Sequence, residues 1–142
     1  MHNAIFLCFA LLIPMVFLGG CAPSASDAYH KITPQAGYEM MKKEDLTLID
    51  VREPAEYQQG HIPGARLIPL GTIDDTVTAK LPDKKKPLIV YCRSGVRSKK
   101  AAMKLVELGY TDVRDMGGIL DWPYEVENRR AQRLSSAEGS KD

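Results

Sequence analysis

The residues best suited to chemistry lie together in Leu88-Ile89-Val90-Tyr91-Cys92-Arg93-Ser94-Gly95-Val96-Arg97-Ser98-Lys99-Lys100. A cysteine followed by two arginines within a short turn suits a thiolate nucleophile that meets an anion, since guanidinium groups present a planar donor fork to oxyanions. No proline interrupts residues 93–97, so every backbone N–H there is free to donate, and consecutive amides in a tight turn form a concave anion nest. Gly95 tolerates the unusual dihedrals that such a cradle requires.

The flanking sequence positions this turn. Residues 88–91 form a short apolar, β-branched run after a proline and a lysine cluster, which suits an interior strand. From 96 to 108, Ala101, Ala102, Leu105 and Leu108 recur at helical spacing while Lys100, Lys104 and Glu107 take another face, and Gly109 is a natural stop. Cys92 is therefore expected at the carboxyl end of a strand and at the positive end of a helix, where open α/β sheets place their binding crevices and where a thiolate is favoured.

The chain has 142 residues, 44% hydrophobic and 26% charged, enough for one globular domain with appendages. A formal charge of +1 excludes the strong basic excess of a nucleic-acid binder, so electrostatic attraction must be local. The N-terminus differs in kind. Residues 4–18 carry no charge and stop short of the ~20 needed for a bilayer span, which fits the apolar region of a secretory signal. Leu18-Gly19-Gly20-Cys21 resembles the lipobox of bacterial lipoproteins, which implies lipidation of Cys21, although Met1-His2-Asn3 lacks the usual Lys or Arg. The expected organisation is a signal at 1–20, a polar tether at 21–28, a domain at 29–126 and a polar tail at 127–142. The protein is expected to be exported and lipid-anchored to a membrane on the periplasmic or cell-envelope side.

Cysteine usage adds to this. With Cys8 in the signal and Cys21 lipidated, Cys92 is left as the sole free thiol, so no internal disulfide framework is available. A lone thiol in an oxidising compartment is a liability unless it has a task. The three histidines show no ligand spacing, and no metal site is implied.

Along the domain, residues 30–32 predict a short strand. Thr33 then caps a helix that Pro34 opens, with Tyr38, Met40 and Met41 on its inner face. Residues 46–51 predict a central strand, Pro54 a second helix start, and 66–68 a third strand. Residues 72–81 are read as a helix despite their β-branched content, 82–87 as a solvated loop, and 111–116 as a last edge strand turned by Gly117-Gly118. Short strands alternating with helices give an α/β fold with a largely parallel sheet.

Four motifs in order resemble a single-domain rhodanese, the thiosulfate-type sulfurtransferase fold: Asp50-Val51-Arg52-Glu53, then Gly60-His61-Ile62-Pro63-Gly64-Ala65, then Val90 through Ser98, then Gly117-Gly118 followed by Trp122. They cover roughly residues 30 to 125. The resemblance implies a doubly wound sheet of about five parallel strands flanked by helices, and a persulfide carried on Cys92 with no other cofactor. The amides of Arg93, Ser94, Gly95, Val96 and Arg97 are expected to surround the outer sulfur. Arg97, read as the last loop residue, is expected at the substrate mouth, and Lys99 and Lys100 are either ordinary surface or tolerated beside an anion site. Asp50 is read as tying loop amides or Arg52 together rather than as a base, His61 as a turn and packing residue, and Trp122 as a packing anchor.

The expected reaction takes sulfane sulfur from thiosulfate or a similar small anionic donor and passes it to cyanide, a thiol or a protein acceptor, with the protein monomeric. A non-enzymatic sulfur carrier or redox module requires the same persulfide. A cysteine-loop phosphatase or arsenate reductase is disfavoured, because Cys92-x4-Arg97 is one residue shorter than the Cys-x5-Arg loop of tyrosine phosphatases, where Ser98 would have to be arginine.

Overall fold

The computed structural model describes residues 24–128. The signal at 1–20, Cys21 and all but the first two residues of the 127–142 tail lie outside the described residues. Five strands, β1 (Tyr29–Lys31), β2 (Thr47–Asp50), β3 (Arg66–Leu67), β4 (Leu88–Cys92) and β5 (Val113–Gly118), form one sheet in the order β1-β5-β4-β2-β3. Every pairing is parallel. Helices α1 (Ala25–Ala28), α2 (Pro34–Lys43), α3 (Pro54–Gln59) and α4 (Val96–Glu107) complete the fold.

The side-chain period of two divides the core between the faces of the sheet. Leu88, Val90 and Cys92 point to one face with Ile49, Val51 and Val113, where Ala101, Ala102, Leu105 and Val106 of α4 and Ala28 of α1 pack. Ile89 and Tyr91 point to the other face with Leu48 and Met116, covered by Met40 and Met41 of α2, Tyr57 of α3 and Trp122. β2 and β4 are neighbours, yet the helices that follow them lie on opposite faces. The carboxyl edge between those two strands is therefore the topological switch point, and Asp50 and Cys92 both end there.

Several local expectations change. β5 is an interior strand, because β1 pairs along its outer side from Tyr29↔Val113 to Lys31↔Asp115. Gly117 and Gly118 belong to β5 rather than to a turn. The pairing steps from Val90↔Asp115 to Tyr91↔Gly117, so Met116 is the extra residue of a bulge, and Gly117 sits at φ +88.

The stretch 72–81 is two short 3-10 turns, Leu70–Thr72 and Asp75–Ala79, rather than an α-helix. The Asp74 carboxylate accepts from both Thr76 N and Thr76 Oγ1, which favours a capped turn, and three β-branched residues follow at 76–78. At the N-terminal side, Ala25–Ala28 is a helical turn inside the stretch read as tether, with Ala28 buried in the core. Glu127, in the stretch expected as a polar tail, pairs its backbone with His61 in an antiparallel bridge.

Candidate functional site

Cys92 is the last residue of β4 and is 1% exposed, beneath a loop whose Arg93, Ser94 and Val96 are exposed. It is the free cysteine among the described residues. The Gly95 N–H donates to Cys92 Sγ at 3.0 Å. Gly95 adopts φ +102, a left-handed conformation that costs a side-chain-bearing residue about 1 kcal/mol or more, and immediately precedes the first turn of α4. The N–H groups of that first turn have no intrahelical acceptor, and the positive end of the twelve-residue helix lies at the loop, so negative charge at the sulfur is stabilised.

The loop is held from below by β5. A Cβ added to Gly118 would collide with the Arg93 carbonyl oxygen and stand 2.7 Å from Ser94 Cα, so only glycine lets β5 approach this closely. The Leu120 N–H donates to the same Arg93 carbonyl at 3.2 Å. Sequence reasoning missed Asp115. Its fully buried carboxylate accepts from Gly117 N at 3.0 Å, Ser98 Oγ at 2.6 Å, Tyr29 OH at 3.0 Å and Lys31 Nζ at 3.1 Å. Ser98 Oγ also lies 3.0 Å from the Gly95 carbonyl, which connects this carboxylate to the loop. Burial and Asp115 together push the Tyr29 phenol above its ordinary range.

Across the crevice, Asp50 grips Arg52. Its oxygens accept from Arg52 N at 2.9 Å, from Nε at 3.0 Å and from Nη2 at 2.7 Å, and Arg52 Nη2 donates onward to the Gly60 carbonyl at 2.7 Å. Both side chains are buried, so the carboxylate is committed to shaping the β2–α3 turn. Beside it, burial and the Asp50 charge raise the Tyr91 phenol well above its usual range, and Tyr91 accepts the Ile62 N–H at 3.1 Å. His61 stacks on Tyr57 at 3.6 Å between ring centroids, with Nδ1 2.9 Å from the Tyr57 carbonyl oxygen.

Arg97 departs from expectation. It is the second residue of α4 rather than the last of the loop, and its guanidinium is engaged fork-on-fork by Glu56 of α3, at 2.6 Å to Oε2 and 2.8 Å to Oε1. Arg93, Lys99 and Lys100 are exposed and stand outside the ion pairs of the described residues.

The Arg97 guanidinium holds the Glu56 carboxyl at about 2, below its ordinary 4.5. A lowered carboxyl pKa stabilises the fold above pH 4.5, and that contribution is lost as pH falls toward 2. With side-chain exposures of 30% and 27%, solvent screening leaves about 1–2 kcal/mol. Urea unfolding of wild type and Glu56→Gln is expected to differ by this amount near neutrality, with the gap narrowing below about pH 4. A gap independent of pH would contradict the assignment.

Known proteins of this type share the architecture. The Rhodanese-like domain family matches residues 33–124. Thiosulfate sulfurtransferase PspE of Escherichia coli (strain K12) is 44% identical over 73 residues, covering 51% of this chain and 70% of that protein. Thiosulfate sulfurtransferase GlpE of Pseudoalteromonas translucida (strain TAC 125) is 38% identical over 96 residues, covering 67% and 90%. Among solved structures, a rhodanese with anions from E. coli superposes with a TM-score of 0.56 at 38% identity, over 59% of this chain and 99% of that one. A rhodanese-like domain protein from Staphylococcus aureus does so at 0.62 and 30% identity, over 70% and 98%. The parallel five-stranded sheet and the matched sequence give one conclusion: this chain belongs to the rhodanese-like domain family.

Proposed function

We propose that the protein is a sulfurtransferase that carries sulfane sulfur as a persulfide on Cys92. The Cys92 thiolate attacks the outer sulfur of thiosulfate or a similar anionic donor. The donor S–S bond breaks, sulfite leaves with the bonding pair, and Cys92–S–S⁻ remains. A thiophilic acceptor such as cyanide or a thiol, including a protein thiol, then attacks the outer sulfur and releases the Cys92 thiolate. The observation that carries this reading is the Gly95 N–H donated to Sγ at 3.0 Å under a turn that opens a helix. The turn from Arg93 to Arg97 holds no proline, so its amides besides that of Gly95 can donate to a single added sulfur. No further cofactor is required. Lipidation of Cys21 would hold the domain, as a monomer, at a membrane facing the exported side.

Incubation of the full chain with thiosulfate, followed by mass spectrometry, is expected to show one added sulfur on the Cys92 peptide, with steady thiocyanate production once cyanide is supplied. Absence of the added sulfur would overturn the proposal. Loading without turnover would favour a carrier that hands sulfur to a protein. A phosphatase is opposed by the Cys92-x4-Arg97 spacing and by the engagement of Arg97 with Glu56.

Gly118→Ala tests the support beneath the cradle. The new methyl would displace the Arg93–Ser94 backbone by overpacking, at a cost of about 1–3 kcal/mol in stability. A shift of about 1 Å in a reacting group lowers rate by about 10²-fold, so kcat/KM for thiosulfate is expected to fall by that order. Wild-type turnover in this variant would show that the contact does not position the loop.

A further inference from the structure

The end of the cradle carries a carboxylate where attraction for an anionic donor would call for bare positive charge. Glu56 sits on the first turn of α3, its Oε2 also accepting the Glu53 N–H at 3.0 Å, and it reaches across the crevice to neutralise Arg97. Arg97 is the second residue of α4, directly after the turn whose Gly95 N–H donates to Cys92 Sγ at 3.0 Å, which places its charge at the end of the cradle. The exposed Arg93 guanidinium and the helix N-terminus are left to attract the donor.

Resting on the sulfurtransferase reading, we infer that Glu56 sets the charge selectivity of the donor site, by neutralising Arg97 and thereby disfavouring dianionic sulfane donors relative to singly charged ones. The reasoning is Coulombic. A unit charge added or removed beside the site changes the binding free energy of a dianion twice as much as that of a monoanion. The fold-change in affinity for the dianion is then the square of that for the monoanion. Thiosulfate is the dianion, and methanethiosulfonate (CH3SO2S⁻) is a monoanion with the same sulfane sulfur. Attack by the Cys92 thiolate on methanethiosulfonate forms Cys92–S–S⁻ and releases methanesulfinate with the bonding pair, so the two donors differ chiefly in charge.

The test is a double-mutant cycle on the full chain, reading KM and kcat for both donors. Glu56→Gln is expected to lower KM for thiosulfate by about three- to tenfold and KM for methanethiosulfonate by about two- to threefold, with kcat nearly unchanged. Arg97→Gln leaves the Glu56 charge uncompensated, and KM for thiosulfate is expected to rise by a similar factor. The double variant removes both charges and is expected to return both KM values to within about twofold of wild type. A double variant as impaired as Arg97→Gln would overturn the inference, because Arg97 would then be a direct donor ligand. Equal KM changes for the two donors, or a fall in kcat alone, would also overturn it, leaving Glu56 as a brace for the loop. If a single variant does not fold, wild type against the double variant still decides, since a KM rise confined to thiosulfate contradicts the inference. Failure of wild type to form a persulfide with either donor would instead remove the sulfurtransferase reading itself.

Discussion

Cys92→Ser is expected to abolish persulfide formation and to lower thiocyanate production by about 10³-fold or more while leaving the fold intact. The substitution removes the atom that must attack and then hold sulfur, and a serine hydroxyl is a far weaker nucleophile without an adjacent base. Within the turn, Gly95 N donates to Cys92 Sγ, and a serine oxygen accepts the same bond, so the cradle loses its nucleophile and keeps its geometry. The side chain is buried among apolar neighbours on the α4 face, and the exchange of sulfur for a smaller oxygen costs about 1 kcal/mol. The checks are thermal melting, which should move by a few degrees, and intact-mass analysis after thiosulfate, which should show no gain. Retained turnover in this variant would place the chemistry elsewhere. With Cys92 the free cysteine of the described residues, such a result would also exclude a substitute thiol within them.

Much of this site can be read from the chain before any coordinates. The apolar run before Cys92, the proline-free turn and Gly95 specify a strand, a cradle and a helix from local rules alone. Asp50 and Arg52 are two residues apart, so their pairing is a local turn event. What local reasoning misses has a common cause: partners brought together by strand order. β1 falls outside β5, which turns the strand expected at an edge into an interior one and buries Asp115. Glu56 and Arg97 meet because α3 and α4 begin at the carboxyl ends of adjacent strands. The signal available was one of charge, an acid and a base each on the first turn of its helix, and only the adjacency of β2 and β4 gives it meaning. The 72–81 stretch fails for another reason, since Asp74 capping and β-branched stiffness outweigh a weak helical pattern.

Asp115 is where strand order has its largest energetic consequence, and Asp115→Asn is expected to lower stability by about 2–4 kcal/mol. The wild-type carboxylate offers acceptors only, and its surroundings offer donors: the Gly117 amide, the Ser98 hydroxyl, the Tyr29 phenol and the Lys31 ammonium. An asparagine turns one of the two acceptor atoms into an NH2 group. Whichever way the amide is flipped, an N–H then faces donors on that side. Lys31 is 58% exposed on its side chain and can turn to water, and the two hydroxyls can rotate. The Gly117 amide is fixed by the bulge, so the amide oxygen must face it and the NH2 must face Tyr29 and Lys31. Loss of the charge that compensates this buried cluster is the main cost. For a domain of about this size the melting temperature should fall by roughly 10–20 °C. Tyr29→Phe, which removes one donor and leaves the carboxylate charged and bonded, should cost no more than about 1 kcal/mol and provides the control. A melting temperature for Asp115→Asn equal to that of Tyr29→Phe would show that the carboxylate does not organise this end of β5. Where Asp115→Asn remains folded at lower temperature, kcat should fall as well, because Ser98 joins the same carboxylate to the Gly95 carbonyl and so to the turn that faces the Cys92 sulfur.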